Sequence, residues 1–393
     1  MKDPYANVTA VGMDVHYRFT TVTMRDANAR VVRRERLDHR DDSALRRKLK
    51  QWPAGVPIVL EASFGWAWLT DLMLELGLRP QLSNCWKLKQ MRKARGWAKT
   101  NKKDADLLSL LPFEAGDWWK VWMAPPAVRD RRERMRHRSS LVAMQTGTKN
   151  RISGVLHRHG ILHEFTDLFG VGGRRFLVEL CRAGGTEERP FSVGAWTSLQ
   201  SLLSLLDHVR WQLAGIAREL RGQLDRSPLA RRLDGIPGIG LILAYTLMAE
   251  IGQIERFESH RALASYSLLA PIANDTGDPD GKPPLGRRLG QRGNRTLKWA
   301  FIEAAHGAVR SGGKWRRLFD SVTEGGRRNR TRGYIKVARE LVKVVYVVWS
   351  KQMDYTDTPP ARPGRRVRSR GKSVLRDTRS GTGQPCRPMA AVR

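Results

Sequence analysis

Three short segments, far apart in the chain, carry acids in a pattern that suits phosphoryl transfer. GMDVHY at 12–17 puts Asp14 at the end of an apolar run. IVLEAS at 58–63 puts Glu61 at the end of another, and KTNKKDADLLSLL at 99–111 puts Asp104 near the start of a helical pattern. Carboxylates brought together from two strand tips and a helix are hard oxygen donors. They suit magnesium or manganese, and no Cys/His set of zinc spacing accompanies them. A dication held this way stabilises charge on a phosphate and activates the attacking oxygen. A strand end often carries one acid for no chemical reason, so the reading rests on the order and spacing of all three.

The elements that must position these acids can be read from the hydrophobic pattern. Residues 7–37 hold three strand-like runs, NVTAVGMDV, YRFTTVTMR and RVVRRERL, with DANAR as the turn between the last two. A helix is expected over 41–49, a buried strand at VPIVLEAS, an amphipathic helix over 64–76 ended by Gly77, and a short strand at 80–82. A helix-rich stretch at 97–111 follows. Three strands and then strands alternating with helices predict a ribonuclease-H-like (RuvC-like) mixed sheet, an α/β domain. Trp118, Trp119, Trp122, Pro125 and Pro126 mark its edge.

Beyond that edge the chain reads as all-α. A long polar helix is expected over 127–159, crowded with cations: RDRRERMRHR at 129–138, then Lys149, Arg151 and Arg158. A second helix over 201–224 would pair with it as an antiparallel coiled-coil hairpin. The glycine-rich stretch 160–200 between them reads as loop with short helices. From about 228, LDGIPGIGLILAYTLMAEIG gives a tight turn of Gly235, Gly238 and Gly240 before a helix, a helix-hairpin-helix-like pattern whose backbone N–H groups can face a phosphate. LASYSLLAP, a polar loop over 274–294 and two helices, over 296–309 and 333–349, complete the unit. The expected domains are 1–122, 123–227 (helical linker), 228–352 and a basic, disordered tail over 353–393.

Charge sets the partner class. The chain has 393 residues with 71 Lys+Arg against 38 Asp+Glu, a formal net charge of +33. Polyanions, above all nucleic acid, are the expected partners, with salt-sensitive affinity. Residues 361–393 hold ten Arg or Lys and one Asp, so most of the surplus lies in the folded body. The long basic helix and the Gly238–Gly240 turn are expected to grip nucleic-acid backbone, with Lys149 and Arg151 as contacts and Arg287, Arg288, Arg292, Arg295 and Lys298 as a phosphate clamp. Cys85, Cys181 and Cys386 are too scattered for a disulfide framework or a zinc site, which fits a reduced cytoplasmic setting. MKDPYANVTA has no apolar core of signal-peptide length, and no run reaches the ~20 apolar residues of a membrane span. Membrane partners are not expected.

Taken together, GMDVH, the LEAS strand end, KT-x-x-x-DA-x-L, IPGIG with its helix, and ALASYSLLAP…TG…GRRLGQRGN…LKWA resemble, in this order, the bacterial insertion-sequence transposases of the IS-one-ten family. The resemblance spans about residues 8–350. It takes in Piv-type invertases and recombinases guided by a structured RNA. It implies a RuvC-like domain with a DEDD metal site, a helical linker and a C-terminal transposase domain with a serine nucleophile. Asp14 and Glu61 match the first two acids and Asp104 the fourth. Asn101 stands where the third acid is usual; three residues from Asp104 it shares a helical face and offers a neutral oxygen to the metal. Asp106 points to another side and is at most a weak substitute. In the family's P-x-x-x-x-S-G loop, here Pro271 to Gly277, Thr276 takes the serine's place, and its added methyl crowds the approach to phosphorus. Ser265 and Ser267 read as packing residues on an apolar helix face.

The implied function is DNA strand cleavage and rejoining with Mg2+ or Mn2+ as cofactor, DNA and a guide RNA as partners, a homodimer or homotetramer as the assembly, and a nucleoid-associated location. Two alternatives use the same residues differently. One is a RuvC-like endonuclease that cuts branched DNA with metal-activated water and leaves Thr276 idle. The other is an inactive nucleic-acid-binding relative, consistent with Asn101 and Thr276.

Overall fold

The structure is a computed structural model that describes residues 3–98, 100–271 and 289–357. Its N-terminal part is one mixed sheet of β1 (Ala10–Val15), β2 (Phe19–Arg25), β3 (Val31–Asp38), β4 (Pro57–Glu61), β5 (Arg79–Ser83) and the two-residue β6 (Lys120–Val121). The spatial order is β3-β2-β1-β4-β5-β6. β1 runs antiparallel to β2 but parallel to β4, and β4 is parallel to β5. This mixed α/β arrangement is compatible with a ribonuclease-H-like domain. The helices are α1 (Asp42–Leu49), α2 (Trp66–Glu75), α3 (Cys85–Ala94) and α4 (Asn101–Leu110).

Strand alternation explains the two faces. Val11, Met13, Val22, Met24, Ile58 and Leu60 pack into one core with Leu45, Leu49, Leu69 and Met73 of α1 and α2. The residues between them face the other way. Val59 packs with Leu88, Leu107 and Leu108 of α3 and α4. Gly12 lies under α4 so closely that a Cβ there would stand 2.2 Å from the Ser109 nitrogen and 2.3 Å from the Ala105 carbonyl oxygen. Thr23 and Arg25 of β2 then hold the helix in place: Thr23 Oγ1 donates to Asp106 at 2.8 Å and Arg25 Nε to Ser109 Oγ at 2.7 Å. Thr100 caps the helix start by accepting from the Lys103 N–H. Gly12→Ala is expected to lift α4 from β1 and to destabilise the domain by roughly 1–3 kcal/mol. A urea melt that matched the parent protein would show that the helix seats elsewhere.

The remainder is helical. α5 (Pro126–Arg158) is a single 33-residue helix, followed by α6 (Val171–Ala183) and α7 (Val193–Leu224). Met135 near the start of α5 packs with Leu220 near the end of α7, while Val155 and Leu156 pack with Leu199 and Leu203, so the two helices run antiparallel as expected. The stretch expected to be mostly loop contains the 13-residue α6, and α7 begins eight residues earlier than the pattern suggested. The C-terminal unit comprises α8 (Pro228–Asp234), α9 (Leu241–Ile251), α10 (His260–Tyr266), α11 (Arg295–Arg310), α12 (Gly313–Thr323) and α13 (Arg330–Ser350) around one apolar core. Sequence reading missed α12. Ser265, expected to pack, is exposed on α10, whereas Ser267 is fully buried. Among the described residues no helix is long and apolar enough to cross a membrane.

Candidate metal centre and nucleic-acid interface

Because side chains alternate along a strand, Asp14 shares the Gly12 face of β1 and Glu61 shares the Val59 face of β4. Both therefore point to the side covered by α3 and α4. β1 and β4 are parallel neighbours, so the two acids sit at the same edge of the sheet. Asp104, on the first turn of α4, is brought to that edge by the close approach at Gly12. Asp14 and Asp104 are both buried. Burial pushes the Asp14 carboxyl above its ordinary range. The adjacent His16 opposes this, and the negative charges of Asp104 and Glu61 add to it. Asp104 and Glu61 thus each lie within electrostatic reach of Asp14.

Two of the acids also have a protein partner. His16 Nε2 lies 3.0 Å from Asp14 Oδ2, and Arg92 of α3 donates to Asp104 Oδ1 at 2.8 Å. The Cys85 thiol donates to the Ala62 carbonyl oxygen at 3.1 Å. Burial, and then the neighbouring Glu61, push that thiol up to about 11, so it is an uncharged neighbour of the acids at neutral pH. Among the described residues no three His, Cys, Asp or Glu side chains already stand as a ligand cluster. Asp104 is turned to Arg92 and Asp14 to His16 instead. The donor set still fits a hard dication chemically, since three carboxylates that repel one another are stabilised by any cation placed among them. Asn101 is exposed at the first position of α4. Asp106 faces away, bound by Thr23 and by Arg34 at 3.1 Å, so its role is to seat α4.

His16 and Arg92 were not picked out from the sequence. His16 had a signal, since it stands two residues from Asp14 and so on the same strand face. Arg92 had none, because its partner lies 12 residues on, in another helix. Thr276, Arg287 and Arg288 lie outside the described residues.

The basic helix α5 requires a correction. Four arginines of its RDRRERMRHR run are spent inside the molecule. Arg129 binds Asp71 of α2 at 2.6 Å. Arg132 donates to the Ala249 and Glu250 carbonyls at the end of α9, at 2.9 and 3.0 Å, where a helix leaves its last carbonyls unpaired. Arg134 pairs with Glu219 of α7. Arg136 meets both oxygens of the fully buried Glu250, at 2.8 and 2.9 Å, and Asn294 donates to the same carboxylate at 2.7 Å. Lys149, half-buried, has its ammonium 5.2 Å from the Phe169 ring centre, and Arg151 is exposed.

The Gly235–Gly240 turn also has a packing explanation. Gly238 has a φ of +86°, and a Cβ there would stand 2.1 Å from the Ala304 carbonyl oxygen of α11. Gly240 is exposed at the N-terminus of α9. Arg295 is exposed at the first position of α11. Arg292 reaches the N-terminal unit: its guanidinium carbon lies 3.4 Å from the Trp86 ring centre, next to Cys85.

Two family models match separate stretches of the chain. A model of the DEDD transposase domain matches residues 11–161, the sheet and α5, and that of the Transposase IS116/IS110/IS902 family matches residues 230–320. The chain belongs to this transposase family. A relative described as an uncharacterized 43.6 kDa protein of insertion element IS110, from Streptomyces coelicolor, is 27% identical over 259 residues, 56% of this chain and 63% of that protein. The transposase for insertion sequence element IS1111A of Coxiella burnetii is 25% identical over 173 residues, 44% of this chain and 45% of the relative. The transposase for IS1328 of Yersinia enterocolitica is 29% identical over 148 residues, 37% and 42%. Each match thus spans less than two thirds of the relative's own length. Membership of the DEDD type points to dependence on a divalent metal in general terms.

Proposed function

We propose that this chain is an insertion-sequence transposase, an enzyme that cuts and rejoins DNA strands by magnesium-assisted phosphoryl transfer, with a structured RNA as guide. The observation that carries this reading is the gathering of Asp14, Glu61 and Asp104 at one sheet edge, close enough for the last two to raise the Asp14 carboxyl. Asp14, Glu61 and Asp104, with Asn101 beside them, would hold the metal, which when bound supplies charge stabilisation at the scissile phosphate. Thr276 is the proposed attacking hydroxyl, with Arg287 and Arg288 as its cationic setting. Lys149, Arg151, Gly238, Gly240, Arg292 and Arg295 are the proposed backbone contacts. The domain borders at 122, 227 and 352, the helix-hairpin-helix-like character of α8–α9, a dimeric or tetrameric assembly and a nucleoid-associated, cytoplasmic location belong to the same reading.

A single assay tests the chemistry. DNA carrying the element's ends is incubated with the full chain and RNA transcribed from the element's non-coding flanks, in Mg2+, in Mn2+ or in EDTA, then denatured. Cleavage is expected in Mg2+ or Mn2+ and not in EDTA, with the protein covalently attached to the cut strand. Nicking without an adduct would favour the water-activating endonuclease, and no cleavage in either Mg2+ or Mn2+ would overturn the enzymatic reading.

A further inference from the structure

The acidic edge carries more than acids. It is formed by the C-terminal ends of β1, β4 and β5, three parallel neighbours about 4.8 Å apart. The segment after each presents an aromatic ring, on a loop after β1 and β4 and on the first turn of α3 after β5. Tyr17 follows β1 and is 91% exposed, Phe64 follows β4 and is 96% exposed, and Trp86 follows β5 and is 40% exposed. Large rings are rarely left in water as completely as Tyr17 and Phe64, and three rings at adjacent strand ends are not scattered exposure. The loops are fixed by backbone bonds: Ala62 N–H donates to Ser83 at 2.9 Å, Ser63 N–H to Glu61 at 2.8 Å and His16 N–H to Phe19 at 2.9 Å. The Trp86 face is already taken by the planar guanidinium of Arg292. The other two rings stand open.

Beside Tyr17 lies a cleft of about 490 Å³ lined by His16, Tyr17, Arg18, Phe19, Arg36, Asp38 and Arg40. His16, which bonds Asp14, is thus a wall of this cleft. Arg40 is paired with Asp38, but Arg18 and Arg36 are exposed and leave the cleft positive. Arg36 sits over Phe19, its guanidinium carbon 3.8 Å from the ring centre. Open rings next to exposed arginines that form no salt bridge among the described residues are the chemistry of a single-stranded nucleic-acid track, where bases stack and phosphates meet cations.

We propose that Tyr17 and Phe64 form a stacking platform for unpaired bases of the DNA strand entering the acidic edge, with Arg18 and Arg36 in the adjoining cleft taking that strand's phosphates. The site therefore accepts DNA that is locally unwound. This rests on the DNA-cleaving reading and adds to it the strandedness of the substrate.

The test uses the full-length protein in EDTA, so that binding is read without cleavage. The probes are a fluorescein-labelled 20-mer DNA single strand, its duplex, and an RNA of the same sequence. Tyr17→Ala and Phe64→Ala are each expected to weaken single-strand binding roughly 5- to 150-fold while duplex binding changes less than about twofold. Tyr17→Phe should keep it. A 2-aminopurine placed in the strand should be quenched by the parent protein and not by the double alanine variant. Both rings are exposed, so folding is preserved, and thermal melts confirm it. If the double variant binds single strand as the parent does, the platform is wrong while the transposase reading stands. If the rings matter only for RNA, or only for self-association on a sizing column, the DNA assignment is overturned. If the parent protein binds neither DNA form, the transposase reading falls as well.

Discussion

Asp14→Asn is expected to lower DNA strand cleavage by about 10³-fold or more while leaving the fold as stable as before, or more so. Loss of metal-assisted charge stabilisation removes several kcal/mol from the transition state, and about 1.4 kcal/mol corresponds to each tenfold in rate. The stability expectation follows from the raised Asp14 carboxyl. A folded-state value above the unfolded one means that the ionised form is disfavoured by folding, so the penalty is present at neutral pH, shrinks as pH falls below the folded value and is gone below the unfolded one. A neutral amide at this position removes that penalty at every pH. Cleavage and thermal melting measured on the same preparation check both halves. Retained cleavage would remove Asp14 from the metal site, and a large fall in melting temperature would show that its carboxylate is structural.

The second large effect concerns Glu250. Its side chain is fully buried, yet it receives Arg136, Arg132 and Asn294. Glu250→Ala removes the acceptor that joins α5, α9 and the start of α11, and it is expected to cost about 3–5 kcal/mol, the usual result when one partner of a buried ion pair is deleted. Glu250→Gln should fall between, since it can still accept from one partner. An apolar replacement of both partners, Arg136→Met with Glu250→Leu, is expected to regain much of the loss. Chemical denaturation followed by tryptophan fluorescence reads these differences. A cost below about 1 kcal/mol for Glu250→Ala would mean that the apolar core alone holds this joint.

Much of the acidic edge was legible because it depends on short-range periodicity. A two-residue repeat puts Gly12 with Asp14 and Val59 with Glu61, and the apolar residues between them define the opposite face. What lay hidden depends on partners distant in sequence. Charge on Arg136 is visible in the chain, but Glu250, 114 residues away, is not visible as its partner, so the basic run reads as a nucleic-acid surface. Glycines misled the reading of 160–200. Gly170 is the N-cap of α6 and Gly184 its left-handed C-cap, so they mark the ends of a helix rather than a loop. Gly173 sits inside it because a Cβ would meet the Leu168 carbonyl carbon at 2.5 Å.

The bonding at the root of α5 also makes it a lever. Arg129 and Arg132 tie its first turns to α2 on one side and α9 on the other, while α6 and the start of α7 ride on its far end. From Arg132 to Arg158 the helix extends about 39 Å at ~1.5 Å per residue. A tilt of about 10° where the two units meet would sweep the far end through about 7 Å, roughly two base-pair steps of DNA. Small adjustments beside the acidic edge would thus be felt as large ones at the tip.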